Sequence, residues 1–300
     1  MGAVSSPTRP AADIEGGPAR AGRSHWAIGS ARLLRNHGAV AGALIVLLFV
    51  AAGLFAPWLT DDDPVQVQFD ARFAAPSVRH PLGTDSFGRD LFSRVLYGGR
   101  LSLSVGLIAI AISDVVGIPL GLLTGYRGGR FDDVVMRLVD LWLAFPGLLV
   151  AIAIVAILGP GLQNVMVAIG IGGIPGLVRL VRGTVLSVRG SEFVDAARVI
   201  GGSDLHIIRS HIFPNVLAPI VVLTTLRLAG AILSGVGLSF LGLGAQPPTP
   251  EWGAIVAEGR SYLREAWWVS TLPGVAIFLT VMGFNLLGDG LRDAFDPRLR

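Results

Sequence analysis

Six long apolar runs divide this sequence, and they constrain its fold more than any other feature. A helix that crosses a bilayer needs about 20 predominantly apolar residues. Open strands and loops are not stable in lipid, because their backbone groups find no hydrogen-bond partners there. We therefore predict an all-α, polytopic membrane protein with six transmembrane helices. The predicted spans run from about Gly38 to Leu59, Leu101 to Leu123, Val134 to Leu158, Val165 to Leu180, Val216 to Val236 and Val269 to Leu287.

The composition is that of a membrane protein, and it excludes several kinds of chemistry. Charged residues make up 15% of the chain, against about 25% in soluble domains. The chain has no cysteine, which excludes disulfides, thiolate chemistry and cysteine metal sites. It also has no lysine, which excludes an ordinary P-loop and Schiff-base catalysis. The pI of about 10.1 comes from arginine, which we interpret as topological charge bias rather than nucleic-acid binding.

Charges beside the first run predict the orientation of the chain. Arg32 and Arg35 precede the run, and three consecutive aspartates, Asp61 to Asp63, follow it. By the positive-inside rule, the N-terminus lies in the cytoplasm. The C-terminal tail, which carries three arginines, is also expected there.

Composition also predicts how the chain is divided. Residues 1–30 are rich in Gly, Pro and Ala, so we predict a disordered cytoplasmic tail. The first apolar run is too long to be the apolar region of a signal peptide. Residues 31–100 are predicted to form the first span and an extracytoplasmic segment. Residues 101–300 are predicted to form a core of five spans.

Helix-breaking residues predict irregularities in two spans. Pro146 is expected to kink the third span, because proline removes a backbone donor and clashes with the preceding turn. The glycine-rich stretch from Gly170 to Gly176 is expected to interrupt the fourth span. Such a segment is typical of close helix packing or of a pathway wall.

The segments between spans hold two further candidate features. His80, Asp85 and Asp90 lie in a stretch dense in turn formers and could be metal ligands, but their spacing gives a metal site little support. The stretch resembles the region before the second span in dipeptide and oligopeptide permease subunits, and this resemblance implies structural packing near the membrane surface. Three tryptophans, Trp252, Trp267 and Trp268, are predicted to be interfacial anchors.

Two charged residues, Asp114 and Arg227, fall inside predicted spans. A charge near the middle of a span costs about 2.5 to 3.5 kcal/mol on insertion scales, so each is expected to face protein or water. One interpretation is that they line a pathway. The other is a structural pairing, with each other or with a partner subunit.

A polar segment from Glu192 to Asn215 stands between the fourth and fifth spans. It is predicted to form two short helices. The first runs from about Ser191 to Ile200 and ends at Gly201-Gly202, a typical C-terminal signal. The second is capped by Ser203 and stops before Pro214. Periodicity places apolar residues on one face of each helix: Phe193, Ala196, Ala197 and Ile200 in the first, and Leu205, Ile208 and Ile212 in the second.

This hairpin resembles the EAA loop of permease subunits of binding-protein-dependent ABC importers. Asp195-Ala196-Ala197, Gly201 and Ile212-Phe213-Pro214 fit the spacing of that motif. Asp195 replaces the usual Glu and keeps its charge, and His211 replaces the usual Ile, as in many peptide-type members. Three further segments resemble dipeptide and oligopeptide permeases: His80 to Asp90, Leu96 to Leu103, and Gly237 to Gly253.

The resemblance covers about Leu33 to Arg300. It implies the type I ABC importer permease fold and a C-type subunit that imports dipeptides or short oligopeptides across the plasma (inner) membrane. It also implies a second homologous permease subunit, two cytoplasmic ATPase subunits or domains that bind ATP and Mg, and an extracytoplasmic peptide-binding protein. This chain is then a transport subunit and not an enzyme, with no cofactor or metal of its own and no nucleic-acid partner.

In this family the cytoplasmic loop transmits the motion of the ATPases, here residues 183–215. The residues that the resemblance assigns to coupling are Glu192, Asp195, Ala196, Ala197, Gly201, Gly202, Asp204 and Pro214. Asp114 and Arg227 are the candidate pathway residues.

Three alternatives differ in cargo or class. The same architecture could import nickel complexes or glutathione, which neighbouring genes would reveal. A channel or secondary transporter would need no ATPase partner, and it leaves the EAA-like loop unexplained. A membrane-embedded enzyme would need a catalytic constellation, which the sequence lacks.

Overall fold

The computed structural model of this chain describes residues 32–295. The predicted tail 1–30 and the last arginines of the predicted cytoplasmic C-terminus, Arg298 and Arg300, lie outside the described residues. Within the described range the chain is helical and forms no β-strand. The helices are α1 (His37–Leu54), α2 (Ala56–Leu59), α3 (Leu91–Arg127), α4 (Gly129–Leu143), α5 (Gly147–Leu158), α6 (Leu162–Arg189), α7 (Glu192–Val199), α8 (Asp204–Ile207), α9 (Phe213–Phe240), α10 (Trp252–Gly259) and α11 (Trp268–Phe295), with short 3₁₀ turns at Phe69–Ala71 and Arg260–Tyr262.

Five helices in the described part are long and apolar enough to cross a membrane, and the bent pair α4–α5 makes six if it is counted as one span. This confirms the predicted membrane-spanning, all-α architecture. The third span is broken rather than gently kinked, because α4 and α5 meet at 89°. Pro146 is the N-cap of α5, and its missing N–H ends the hydrogen-bond ladder of α4 at this point.

The prediction that glycines interrupt the fourth span was wrong. Helix α6 is continuous through Gly170–Gly176 and contains Pro175. A Cβ on Gly170 would come within 2.7 Å of the Ile112 side chain of α3, so this glycine allows two helices to approach rather than breaking one of them.

A row of glycines on α3 explains how α3 and α6 pack closely along their length. Gly117, Gly121 and Gly125 recur at one-turn spacing on α3. A Cβ at each would lie 2.8, 2.6 and 2.7 Å from Leu177, Val181 and Val185 of α6, respectively. Small residues repeated every four positions are a common device for packing membrane helices. This packing sets the frame on which the polar hairpin sits.

At the opposite end of the bundle, a folded layer covers the helix ends. Helix α3 begins at Leu91 rather than at Leu101, so the predicted boundary at residue 100 lies within a helix. Asp90 is the N-cap of this helix, and its carboxylate accepts a hydrogen bond from the backbone N–H of Ser93. The segment before α3 and the segment containing α10 pack together in this layer.

The prediction of three interfacial tryptophans was wrong for two of them. Trp252 is fully buried, and its indole N–H donates to the carbonyl of Val95 at 2.9 Å. Trp268 is also buried, with its indole N–H on the carbonyl of Thr84 at 3.1 Å. Trp267 is exposed. The folded layer buries the first two, since their indole donors find carbonyl partners inside the protein.

Candidate functional site

The polar hairpin consists of α7 and α8 joined by a tight glycine turn. The N–H of Gly202 donates to the carbonyl of Ala197, and that of Gly201 donates to the carbonyl of Arg198. This pattern is a Schellman C-cap, which requires a left-handed residue after the helix. Gly201 has φ of 87° and fills that position. The Ser203 hydroxyl then accepts a hydrogen bond from the N–H of His206, as the sequence predicted.

The prediction that the second helix stops before Pro214 was wrong. A π-helical turn, Ile208–Ile212, follows α8 and leads directly into α9. Asp204–Phe240 is therefore one continuous helix that is long and apolar enough to span a membrane. Pro214 lies in the first turn of α9. The helix tolerates the proline, which lacks an N–H donor, because the π turn directly ahead of it shifts the hydrogen-bond register at this point.

The inner face of the hairpin is buried against the ends of the membrane helices. Val194 and Ala197 of α7 and three isoleucines of the second arm form one core with residues of α3, α6 and α9. The three isoleucines are Ile207, Ile208 and Ile212. Burying several aliphatic side chains at about 1.5 to 3 kcal/mol each holds the hairpin firmly on the bundle.

The outer face of the hairpin exposes apolar side chains. Val199, Ile200 and Leu205 around the glycine turn are 87%, 85% and 75% exposed. The predicted apolar faces are therefore rotated: Ala197 points inward as expected, but Phe193, Ala196, Ile200 and Leu205 point outward. We call Phe193, Ala196, Val199, Ile200 and Leu205 the hairpin tip.

Polar contacts anchor the hairpin to α3, and α3 to α6. The Tyr126 hydroxyl donates to Oδ1 of Asp204 at 3.0 Å. Arg189 donates to the carbonyls of Gly125 and Tyr126 at 3.1 and 3.2 Å. The guanidinium of Arg198 lies 5.4 Å from the centre of the Tyr126 ring, and the pKa of Arg198 is raised above its ordinary value, chiefly by hydrogen bonding to Tyr126.

These contacts divide the predicted coupling residues into two groups. Glu192, Asp195 and Ala196 are exposed, and Asp195 pairs with Arg198 in its own helix at 2.8 Å. The remaining five hold the hairpin in place through core packing, the turn, the Tyr126 contact or the start of α9: Ala197, Gly201, Gly202, Asp204 and Pro214. Sequence reasoning missed Tyr126, because its partner Asp204 is distant in the chain.

The two predicted intramembrane charges meet in the bundle. Arg227 of α9 and Asp114 of α3 are 3.7 Å apart at their closest side-chain atoms, Nη1 and Oδ1, and neither atom has a hydrogen-bond partner among the described residues. Nη2 of Arg227 donates to the carbonyl of Gly173 and the hydroxyl of Ser113. The second oxygen of Asp114 accepts from Thr224 at 3.1 Å.

Arg227 also borders a cavity of about 320 Å³ between α3, α5, α6 and α9. Its lining includes Ser113, Gly147, Ala168, Gly173 and Ser234. The volume is at the lower end of the range of about 300 to 1,000 Å³ for small-molecule pockets. Gly147 begins α5, so the break in the third span contributes one wall of this cavity.

The turn-rich segment before α3 brings its charges to two separate places. Asp85 pairs with Arg89 at 2.6 Å, and Glu258 of α10 joins both Arg89 and Arg94. His80 lies 2.9 Å from Asp90. Asp85 therefore does not join His80 and Asp90, contrary to the grouping that the sequence invited.

Comparison with known proteins adds the family. Residues 117–300 match the family described as the binding-protein-dependent transport system inner membrane component. Residues 24–76 match the N-terminal transmembrane domain of oligopeptide transport permease C.

Several relatives resemble the chain over most of its length. The di/tripeptide transport system permease protein DppC of Pseudomonas aeruginosa is 48% identical over 88% of this chain and 89% of its own. The dipeptide transport system permease protein DppC of Alkalihalophilus pseudofirmus is 46% identical over 92% and 91%. The glutathione transport system permease protein GsiD of Pectobacterium atrosepticum is 47% identical over 93% of both chains.

A solved structure supports the fold. A chain of the inward-facing MetNI methionine ABC transporter aligns with a TM-score of 0.56 and 21% identity, covering 68% of this chain and 96% of that one. At this identity the likeness concerns the arrangement of the helices.

Proposed function

This chain belongs to the binding-protein-dependent transport system inner membrane component family, and from that premise we propose that it is a permease subunit of an ATP-driven importer of dipeptides or short oligopeptides. The observation that carries the proposal is that the hairpin is buried on one face and exposes apolar side chains on the other. Its inner face is buried against three membrane helices, whereas its tip exposes Val199, Ile200 and Leu205. An exposed apolar tip on a firmly seated base is suited to receive and transmit a push from a partner.

The partner at the hairpin tip is, in this proposal, a cytoplasmic ATPase subunit that binds ATP and Mg. Closure of two such subunits would move the hairpin together with α3, α6 and α9, to which it is bound, and so switch the pathway between its inward- and outward-facing states. Exposed Glu192 and Asp195 would border the contact and supply its negative charge. The partner hydrolyses ATP in this proposal, and this chain transmits the resulting motion to the membrane helices.

Arginine distribution supports a cytoplasmic position for the hairpin end. Arg127, Arg130, Arg189 and Arg209 all lie near the helix ends that surround the hairpin, as the positive-inside rule expects of cytoplasmic loops. The opposite end carries the aspartates that follow α2. We therefore place α10 and the segment before α3 on the extracytoplasmic side, where a peptide-binding protein would deliver cargo.

A second permease subunit is proposed to complete the pathway. The bent pair α4–α5 exposes large apolar residues along its length. Part of this surface would face lipid and part a homologous subunit in a heterodimer. The exposed residues are Val134, Leu138, Leu141, Phe145, Leu149 and Ile157.

We propose that the cavity beside Arg227 is part of the translocation pathway. The cavity meets the broken third span, where a rearrangement of α5 can widen it. Arg227 lines the cavity and is only loosely paired with Asp114, at 3.7 Å, so its guanidinium can attract the carboxylate end of a peptide.

Reconstitution tests the function. The chain is purified with its co-purifying subunits, placed in proteoliposomes with the binding protein, and assayed for uptake of labelled Ala-Ala. Uptake that requires ATP and an intact ATPase supports the proposal. Uptake that persists without ATP, or a purified complex that contains no ATPase, contradicts it.

The same assay separates the alternative cargo. The glutathione permease relative is as similar as the peptide relatives, so glutathione and a nickel complex are tested in parallel with Ala-Ala. Uptake of glutathione or nickel with no uptake of Ala-Ala would replace the peptide assignment while leaving the permease architecture unchanged.

A further inference from the structure

Three side chains with metal-ligating atoms meet at the extracytoplasmic end of the bundle. One ligand atom from each of Asp62, His80 and Asp90 lies within 4.8 Å of the other two. Asp62 follows α2, His80 lies in the turn-rich segment, and Asp90 is the N-cap of α3. The fold therefore assembles this cluster from three separate stretches of chain.

The backbone around the cluster is fixed before any ligand arrives. The N–H of Ser93 donates to Oδ2 of Asp90 at 2.8 Å, and the hydroxyl of the same serine donates to the carbonyl of Asp62 at 2.7 Å. His80 is held by backbone hydrogen bonds with Ser77 and Gly83. Metal sites depend on such outer contacts, which aim the ligands and reduce the ordering needed on binding.

The cluster has an unbalanced negative charge. Within the described residues, neither Asp62 nor Asp90 has an arginine partner within salt-bridge distance. Nearby Asp85 and Glu258, by contrast, share Arg89 and Arg94. Asp90 is 3% exposed and its charge partner is His80 at 2.9 Å, whereas no ion pair of Asp62 is found among the described residues. A single histidine cannot balance two carboxylates, and a buried carboxylate is costly unless it is paired or coordinates a cation. A divalent cation would neutralise both aspartates.

We propose that Asp62, His80 and Asp90 bind a divalent transition-metal ion, Zn²⁺ in particular. An imidazole with two carboxylates suits Zn²⁺, whereas Mg²⁺ and Ca²⁺ prefer all-oxygen sites. Water would complete the coordination, since Asp62 is only half-buried and leaves a route from solvent.

The ion would clamp the end of the first span to the start of α3. It would stabilise the extracytoplasmic layer without taking part in transport chemistry. The proposal is independent of the cargo and of the ATPase, because it rests on the extracytoplasmic cluster alone.

Metal content of the purified complex tests the proposal. The complex, carrying no polyhistidine tag, is stripped with EDTA, incubated with Zn²⁺ or Co²⁺, washed, and analysed by elemental analysis and, for Co²⁺, by visible absorption. We expect about one ion per chain for the wild type. Removing one ligand in Asp62→Asn should weaken binding about 10- to 100-fold or more.

Asp61→Asn is the matched control, because it removes the same charge from the neighbouring exposed position. It should retain the metal of the wild type. His80→Gln should also lose the metal. If His80→Gln fails to fold, the metal content of Asp62→Asn still tests the proposal. Wild-type complex that binds no Zn²⁺ after washing, or Asp62→Asn with undiminished Zn²⁺, would show that His80 and Asp90 form only a structural hydrogen bond.

Discussion

The Tyr126 hydroxyl donates a hydrogen bond to Oδ1 of Asp204 across 3.0 Å, joining the last turn of α3 to the first turn of α8. Tyr126 is buried, and its ring also contacts Arg198 of α7. One side chain of a membrane helix therefore touches both arms of the hairpin. In the proposed mechanism, motion of the hairpin tip would be passed to α3 through this contact.

Replacing Tyr126 with Phe should loosen this link while leaving the ring in place. A net hydrogen bond contributes about 0.5 to 1.5 kcal/mol, and the exposed Asp204 can be solvated, so the loss of stability should be at the low end. We expect more ATP hydrolysed per peptide transported in proteoliposomes. Tyr262→Phe, at the opposite end of the bundle, is the control. Unchanged coupling in Tyr126→Phe would show that the contact carries no force.

Substitutions at Gly201 test whether coupling requires the left-handed backbone conformation of the turn. Apart from its chain neighbours, none of the described residues comes within 4 Å of a Cβ placed on Gly201, but its φ is 87°. Valine at this position should cost about 1 to 2 kcal/mol and displace the turn, whereas Asn accepts left-handed conformations more readily. Gly201→Val should insert into membranes yet lose peptide-stimulated ATPase activity, and Gly201→Asn should retain most of it. Equal, normal activity in both variants would exclude a requirement for this turn geometry.

The hairpin tip can be tested by a single charge. Ile200→Asp places a carboxylate on a side chain that is 85% exposed, so the fold should not change. If the tip docks on an ATPase, desolvating that carboxylate should cost about 2 kcal/mol or more, equivalent to at least about a 30-fold loss of affinity. Co-purification of the ATPase measures this loss. Val78→Asp, on a fully exposed residue of the opposite end, should co-purify normally; similar recovery for both variants would argue against docking at the tip.

The Asp114–Arg227 pair allows structural and pathway roles to be separated. Asp114→Asn leaves Arg227 without its charge partner, and breaking a partly buried pair should cost about 1 to 3 kcal/mol. The double variant Asp114→Asn/Arg227→Gln removes both charges and should recover much of that stability. Thermal unfolding of both variants measures the structural role of the pair, and peptide uptake measures its role in the pathway. A double variant that is stable but slow in uptake supports a pathway role, whereas normal uptake in Asp114→Asn would rule it out.

Close packing of α3 on α6 predicts a strong dependence on residue size. A Cβ at Gly121 would lie 2.6 Å from the Val181 side chain. Gly121→Leu should therefore separate the helices and destabilise the protein by about 1 to 3 kcal/mol or more. Gly183→Leu on α6 is the control, since no other part of the described structure, beyond its own helix turn, lies within 4 Å of its Cβ position. Equal unfolding temperatures for the two variants would contradict the packing described here.

Several features followed from local sequence alone. The length of each apolar run predicted the membrane spans, and Ser203 and Gly201 predicted a cap and a turn that the structure contains. Pro146 predicted a kink, and the structure has a full break at that residue. These predictions succeeded because each depends on a single residue's backbone preference or on the thickness of a bilayer. The EAA-like spacing likewise pointed to the family that the comparisons establish.

Other features depended on which residues pack against each other in the tertiary structure. Pro214 and the glycines of α6 looked like helix breaks, yet a π turn and close packing against α3 accommodate them. Trp252 was predicted to be an interfacial anchor, but the folded layer at the end of the bundle opposite the hairpin buries it.

The sequence by itself determined that this protein crosses a membrane with a polar hairpin between two spans, because lipid imposes the same requirement on any chain of this pattern. Only the tertiary structure decided which face of the hairpin is buried, that Asp114 meets Arg227, and that Asp62 rather than Asp85 joins His80 and Asp90. Those outcomes depend on contacts between residues far apart in the chain, which local periodicity does not encode.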